Sequence, residues 1–279
     1  MLAHLFNHPV FLLDVEAAVR DTLKRIELNL FHKLPGLAEY SGTTLSMAIV
    51  RGSDIWAVNV GDSRIVLATK TPQSSGPSSS SSSSVSSPTQ STHSVHSTGS
   101  SMASSRRSSE SRMSTDSSNF QWRYVAQDVT IDHKPHLPVE FARITSAGGR
   151  VFAIRYDNGE VGPPRVWLGT SNVPGLAMSR SLGDFMVHSV GVISTPDVFH
   201  YQLDDDCDCF LIVGTDGLWD TVKSQEAVNI VKAFDEAGKA VEGILRISHQ
   251  RWMDHDHVSD DTSLCIVHLR GFTSSKVPR

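Results

Sequence analysis

The chain has few cysteines, no excess of basic residues and no long hydrophobic run. Its three cysteines, Cys207, Cys209 and Cys265, lack the spacing of a zinc finger, and their odd number does not suit a disulfide framework. We therefore expect reduced thiols with a structural role. Lys and Arg number 25 against 30 Asp and Glu, so the formal charge of −5 offers no basic surface to nucleic acid or anionic lipid.

Membrane and secretion signals are also missing from the sequence. No apolar run approaches the roughly 18 residues that a membrane-spanning helix requires. Residues 1–6 lack the charged start and the long apolar centre of a signal peptide. The sequence thus predicts a soluble protein of the cytoplasm or nucleus, with no membrane span and no nucleic-acid partner.

One long segment is dominated by serine. Residues 71–118 contain 24 serines in 48 positions and almost no large apolar side chains. Such a segment buries too little apolar surface to offset the entropy lost on ordering, so we predict a disordered loop. Within it, Arg106-Arg107 precede Ser108-Ser109, a pattern that basophilic kinases accept. Both a regulatory phosphosite and a solvated loop with incidental arginines fit this pattern.

The segments on either side of the serine tract predict a single domain. Asp14 is placed to cap a helix over 15–31, and apolar residues recur there at three- and four-residue steps. A strand is predicted directly before the tract and another directly after it. Because loop-closure entropy grows slowly with length, one domain can continue across the insertion. We predict one domain from 1–70 and 119–271, an insertion at 71–118 and a tail at 272–279; a linker between two domains is the alternative.

Hydrophobic patterning indicates more strands than helices, without regular alternation. This order favours an α+β sandwich over a doubly wound sheet. Further helices are predicted over 138–147, 224–234 and 241–252. Strands are predicted over 45–50, 55–60, 63–68, 122–129, 151–154, 192–193, 210–213 and 263–269.

Two aspartates stand at predicted strand ends. Asp216 follows the apolar run 210–213, and Asp260 precedes the apolar run 264–269. An acid placed where a rigid strand stops can be aimed into a cleft with little conformational freedom, as a site for a hard metal ion requires. Asp62 and Arg64, in contrast, are interpreted as structural residues, in a tight turn and a nearby pairing, and not as catalytic ones.

Six motifs together carry a family resemblance. Their order and spacing resemble those of the metal-dependent protein phosphatases of type 2C, with phrasing closest to plant-like and protist members. They are Ser41-Gly42-Thr43-Thr44, Val58-Asn59-Val60-Gly61-Asp62-Ser63-Arg64, Asp132-His133-Lys134-Pro135, Gly175-Leu176-Ala177-Met178-Ser179-Arg180-Ser181-Leu182-Gly183-Asp184, Asp216-Gly217-Leu218-Trp219-Asp220 and Asp260-Asp261-Thr262.

The resemblance implies a β-sandwich flanked by helices, with Mn²⁺ or Mg²⁺ in a cleft at one end. It also implies phosphoprotein substrates, hydrolysed at phosphoserine and phosphothreonine by a metal-activated hydroxide and not by a catalytic side chain. By this resemblance Asp216 is a metal ligand, and Asp260 is a second ligand from the opposite sheet. Asp132 matches either a third, weaker metal site or a strand-ending turn, and Asp184 matches an acid that supports the metal cleft.

Some motifs typical of this family are not found in the sequence. Relatives begin with strands that carry an acidic ligand, a phosphate-clamping arginine and an Asp-Gly-His-Gly-Gly motif. We therefore expect the N-terminal strands to be absent, at most one ion to bind well, and activity to be weak or lost. Two interpretations remain: an incomplete copy of an active phosphatase, which we favour, and a silent pseudophosphatase that binds partner proteins.

Overall fold

The computed structural model describes residues 1–72, 122–155, 161–204, 206–255 and 259–269. The interior of the serine tract and the Arg-Arg-Ser-Ser pattern within it lie outside these ranges. By proximity, the described residues of 1–71 and those from 123 onward form one compact unit. The predicted domain boundaries stay a prediction.

Helices form where apolar residues share one face. The predicted cap is confirmed, because the Asp14 side chain accepts a hydrogen bond of 2.9 Å from the Ala17 N–H. The described helices are α1 (Leu2–Phe6), α2 (Val15–Lys33), α3 (Pro138–Ser146), α4 (Phe185–His188), α5 (Asp216–Trp219), α6 (Ser224–Val231) and α7 (Ala237–His255). None of them is long and apolar enough to cross a membrane.

The strands pair antiparallel with their neighbours in every register that the structure describes. Four sheets result, with strand orders β1-β9, β10-β3-β2, β12-β11-β4-β5 and β6-β7-β8, where the strands are β1 (Gly42–Thr43), β2 (Leu45–Arg51), β3 (Asp54–Val60), β4 (Arg64–Pro72), β5 (Trp122–Asp128), β6 (Arg150–Arg155), β7 (Val161–Trp167), β8 (Pro174–Leu176), β9 (Leu182–Gly183), β10 (Asp197–Gln202), β11 (Asp208–Gly214) and β12 (Leu264–His268).

The β10-β3-β2 sheet and the β12-β11-β4-β5 sheet pack face to face around a central core. Ile55 and Ala57 of β3 meet Ile65 and Leu67 of β4 and Leu211 of β11, all of them buried. Burying each large aliphatic side chain contributes about 1.5–3 kcal/mol. The predicted α+β sandwich is therefore confirmed.

Helices cover the outer faces of these two sheets. The side chains of β3 that point away from the central core, such as Trp56 and Val58, pack on α2. On the other side, Phe210 and Ile212 of β11 pack on Val228 of α6 and on α7. Because both faces of β3 and β11 are covered, these strands are almost continuously apolar.

Candidate functional site

Neighbouring strands bring the two predicted metal ligands to one end of one sheet. β11 and β12 are antiparallel, so the segment after β11 lies beside the segment before β12. Thr215 N–H donates to the Ser263 carbonyl at 3.1 Å, and Ser263 N–H donates to Thr215 Oγ1 at 3.0 Å. Asp216 and Asp260 flank this contact. The prediction that Asp260 comes from the opposite sheet is wrong, since β11 and β12 belong to the same four-stranded sheet.

Asp216 lies in a strongly acidic environment. Burial, followed by the charges of Asp62, Asp220 and Asp260, raises the pKa of its carboxyl from 3.8 to about 6, against an opposing effect of Lys134. Like charges at short range disfavour ionisation of one another. The fold thus gathers these four carboxyls into one group, which we call the aspartate group.

Asp62 is the most deeply buried member of the aspartate group. It follows β3 in a turn at Gly61, whose φ of 99° is accessible to glycine. Its side chain is 1% exposed, and its Oδ2 accepts a hydrogen bond of 2.6 Å from Lys134 Nζ. Its Oδ1 is buried and has no hydrogen-bond partner among the described residues. The structural interpretation of Asp62 does not anticipate that it lies beside Asp216.

Lys134 supplies positive charge to the aspartate group. Its Nζ also lies 4.0 Å from Asp220 Oδ1. Burial lowers the pKa of this amine, but Asp62, Asp220 and Asp216 together raise it above its ordinary value. The pKa of Asp220 is raised by burial, with Lys134 opposing and Asp62 adding to the rise.

Asp132 is engaged by an arginine. Its two carboxylate oxygens accept hydrogen bonds from Arg64 Nε at 2.9 Å and from Arg64 Nη2 at 2.7 Å. Arg64 also donates to Ser224 Oγ at 3.0 Å and lies over the Trp219 ring. The structural interpretation of Arg64 agrees with this geometry. A third-metal role for Asp132 stays a prediction. A cation bound there would compete with the guanidinium for the carboxylate.

Asp184 is placed in a different group of side chains. It adopts a left-handed backbone with φ of 53°, and burial raises the pKa of its carboxyl, with Ser181 and His188 opposing. Burial also raises the pKa of neighbouring Glu27 of α2, and Asp184 adds to the rise. Asp184 is not among the main charges acting on Asp216. Its predicted support of the metal cleft stays a prediction.

A hydrogen-bond network fixes the turn that carries Asp62. The Gly61 N–H donates to His133 Nδ1 at 3.0 Å, and the His133 N–H donates to the Gly61 carbonyl at 2.9 Å. Because Nδ1 accepts, Nε2 carries the ring proton and donates to Asp197 Oδ2 at 3.0 Å. Asn59 donates to the carbonyls of Gly61 and Ile131.

The network continues to a buried glutamate on α3. Arg180 joins Asp197, at 2.7 Å, to Glu140, at 2.8 Å. Burial raises the pKa of Glu140, but hydrogen bonds from Arg143, Arg180 and Ser179 outweigh it and lower that pKa from 4.5 to about 2. The turn at Asp62 is thereby anchored to α3 through paired charges.

The aspartate group fits a hard divalent cation in part. Carboxylate oxygens are the ligands that Mg²⁺ and Mn²⁺ prefer, and Mg²⁺ is commonly held by one or two carboxylates plus water. The unpartnered Oδ1 of Asp62 and the high pKa of Asp216 are what a centre of negative charge without a cation would have. In the part of the chain that the structure describes, however, no three His, Cys, Asp or Glu side chains converge tightly enough to hold a metal.

Comparisons with known proteins agree with this architecture. Residues 4–86 and 101–253 match the family model for protein phosphatase 2C. The chain is 34% identical over 233 residues to a probable protein phosphatase 2C 64 of Oryza sativa, spanning 83% of this chain and 43% of that protein. It is 31% identical over 233 residues to a probable protein phosphatase 2C 34 of Arabidopsis thaliana, spanning 83% and 50% respectively. The chain thus spans about half the length of the curated relatives it matches.

A solved structure supports the fold alone. The serine-threonine phosphatase 2C from Toxoplasma gondii superimposes with a TM-score of 0.68 at 18% identity, over 96% of this chain and 77% of the other.

Proposed function

Because the chain belongs to the protein phosphatase 2C family, we propose that the aspartate group is the metal centre of a protein serine/threonine phosphatase. The family is metal-dependent, generally with Mn²⁺ or Mg²⁺, and acts on phosphoproteins. One observation carries the assignment: burial, together with the charges of Asp62, Asp220 and Asp260 around it, raises the pKa of Asp216 to about 6.

We assign ion binding to Asp216 and Asp260, with Asp62 and Asp220 adding negative charge around them. A bound divalent ion would lower the pKa of water and offset charge on phosphoryl oxygens. Asp216 begins α5 and is separated by one residue from the end of the buried β11. Since no tighter cluster of ligands occurs among the described residues, we expect at most one ion to bind well and turnover to be weak.

A cleft beside the aspartate group offers room for a phosphoprotein segment. It has a volume of about 750 Å³, and its lining includes Lys134, Asp220, Pro163, Pro164 and Trp252. The Trp252 ring is fixed, since its N–H donates to the Gly217 carbonyl at 2.7 Å. Apolar walls next to charged groups are typical of ligand clefts.

Mn²⁺ binding and phosphopeptide hydrolysis test the proposed metal centre. Asp216→Asn removes a ligand charge while preserving shape, and we expect it to abolish both. Asp21→Asn is the matched control, because Asp21 lies on the outer surface of α2 and contacts His8. Undiminished Mn²⁺ binding and turnover by Asp216→Asn would show that the assignment is wrong.

The alternative is a catalytically silent module that binds phosphoproteins. It is favoured by the Lys134 amine, which already contacts Asp62 inside the aspartate group. This alternative predicts retention of a phosphopeptide without turnover in Mn²⁺ or Mg²⁺. Metal-stimulated turnover by the purified chain, lost in Asp216→Asn, would exclude it.

A further inference from the structure

The contact between Lys134 and Asp62 has the geometry of a tight, largely buried ion pair. Nζ and Oδ2 are 2.6 Å apart, and the side chains are 23% and 1% exposed. A buried carboxylate without a counter-charge or full hydrogen bonding is strongly destabilising. Lys134 therefore removes a large part of the cost of burying Asp62.

The backbone around Lys134 aims its amine at the aspartate group. The preceding residue, His133, is locked to Gly61 by two hydrogen bonds. The Lys134 N–H donates to the Asp132 carbonyl at 2.9 Å, and the Lys134 carbonyl accepts from the Leu137 N–H at 3.1 Å. With the backbone fixed by the fold, placing the amine at Asp62 costs only the conformational entropy of the Lys134 side chain.

The Lys134 amine occupies the region where the negative charge of the aspartate group would attract a metal ion. Nζ lies 2.6 Å from Asp62 and 4.0 Å from Asp220, and the charge of Asp216 also acts on it. Two cations in this small volume repel each other. Binding of a divalent ion and the Lys134–Asp62 contact are therefore in competition.

We propose that Lys134 is a built-in counter-cation of the aspartate group, which a divalent ion displaces from Asp62 when it binds. This inference rests on the proposed metal centre. Lys134 then has two opposite effects: it stabilises the metal-free fold and it weakens the apparent affinity for Mn²⁺. It is a positioning residue that sets the metal concentration at which the site fills.

Charge removal at Lys134 tests the competition. Lys134→Met keeps the aliphatic stem, and Lys239→Met is the control, because Lys239 forms an exposed ion pair with Glu236. In titration calorimetry we expect Lys134→Met to bind Mn²⁺ about tenfold more tightly than the unsubstituted chain. In EDTA its melting temperature should fall, and Mn²⁺ should raise it by a larger interval than in Lys239→Met. Equal or weaker Mn²⁺ binding by folded Lys134→Met would overturn the proposal.

A second measurement uses the unsubstituted chain and does not depend on the folding of any variant. Acetylation of lysine amines, read by mass spectrometry, should accelerate at Lys134 when Mn²⁺ is added and stay constant at Lys239. An unchanged rate at Lys134 under saturating Mn²⁺ would overturn the displacement alone. Absence of Mn²⁺ binding in both the unsubstituted chain and Lys134→Met would overturn the proposed metal centre, and this inference with it.

Discussion

Arg64 donates two parallel hydrogen bonds to the Asp132 carboxylate, of 2.9 Å from Nε and 2.7 Å from Nη2. The guanidinium fork matches a carboxylate in this geometry, which makes the pair strong and directional. Both side chains are largely shielded from solvent, at 21% and 15% exposure. Asp132 therefore serves the fold at the edge of the aspartate group.

Asp132→Asn should lower stability more than it lowers metal affinity. The substitution leaves Arg64 partly unpaired, and we expect a loss of about 1–3 kcal/mol in the free energy of unfolding. Mn²⁺ affinity should change by less than about threefold, in contrast to its loss in Asp216→Asn. Urea denaturation and titration calorimetry measure the two effects. If Asp132 instead held a third metal ion, Asp132→Asn would strongly reduce the affinity for a weakly bound ion.

Asp216→Asn should stabilise the metal-free chain at neutral pH. The folded pKa of about 6 lies above the ordinary value of 3.8, so the folded state holds this proton more tightly. Stability is therefore lost as pH rises from about 4 through 6 and stays lost at pH 7. Removing the carboxylate should regain roughly 1–2 kcal/mol at pH 7 in EDTA after allowance for solvent screening.

Thermal unfolding in EDTA at pH 4 and pH 7 measures this effect. Asp21→Asn again provides the control, because the Asp21 side chain is 51% exposed. A lower melting temperature for Asp216→Asn than for the unsubstituted chain at pH 7 would contradict repulsion within the aspartate group.

Glu140 should make stability depend on acid pH in the opposite sense. Its folded pKa of about 2 lies below the ordinary 4.5, so its contribution is present above pH 4.5 and is lost as pH falls through 2. A difference of this size corresponds to about 3–4 kcal/mol. Glu140→Gln should flatten the decline of unfolding free energy between pH 5 and pH 2, measured by urea denaturation. An unaltered slope would refute the paired-charge anchor on α3.

Gly61→Ala should disturb the aspartate group through the backbone. The residue has φ of 99°, and an added Cβ would lie 2.7 Å from Thr44 Cβ. Strain and crowding together should cost about 2–4 kcal/mol and weaken Mn²⁺ binding by moving Asp62. Gly52→Ala is the control, since its φ is 61° and no neighbour lies within 4 Å. Equal melting temperatures for the two variants would show that the turn is not under steric constraint.

Local sequence signals predicted most of the elements but not all of them. The helix capped by Asp14 and the apolar strands before the serine tract were predictable, because periodicity and capping act within one segment. β7 was missed because Pro163-Pro164 argue against a strand, and β10 was missed because its edge position tolerates polar residues. The strand predicted over 192–193 was wrong; only an isolated bridge forms between Arg180 and Ile193.

The aspartate group was only partly predictable for a different reason. Asp216 and Asp260 follow from strand ends, but Asp62 has the local pattern of an ordinary turn. Its importance arises from a meeting of loops separated by more than 60 residues, as the contact with Lys134 shows. One signal was present: Asp62 follows a strand whose last six residues are all buried. An acid at the end of such a strand can remain in the interior.

The antiparallel ladder between β11 and β12 makes the site sensitive to insertions and deletions as well as to side-chain replacement. Because Ser263 is fixed to Thr215 by two hydrogen bonds, losing one residue between Asp260 and Ser263 would change the position of the Asp260 carboxylate relative to Asp216. Natural insertions and deletions should therefore be tolerated in solvent-exposed loops between strands. They should be selected against within residues 260–264.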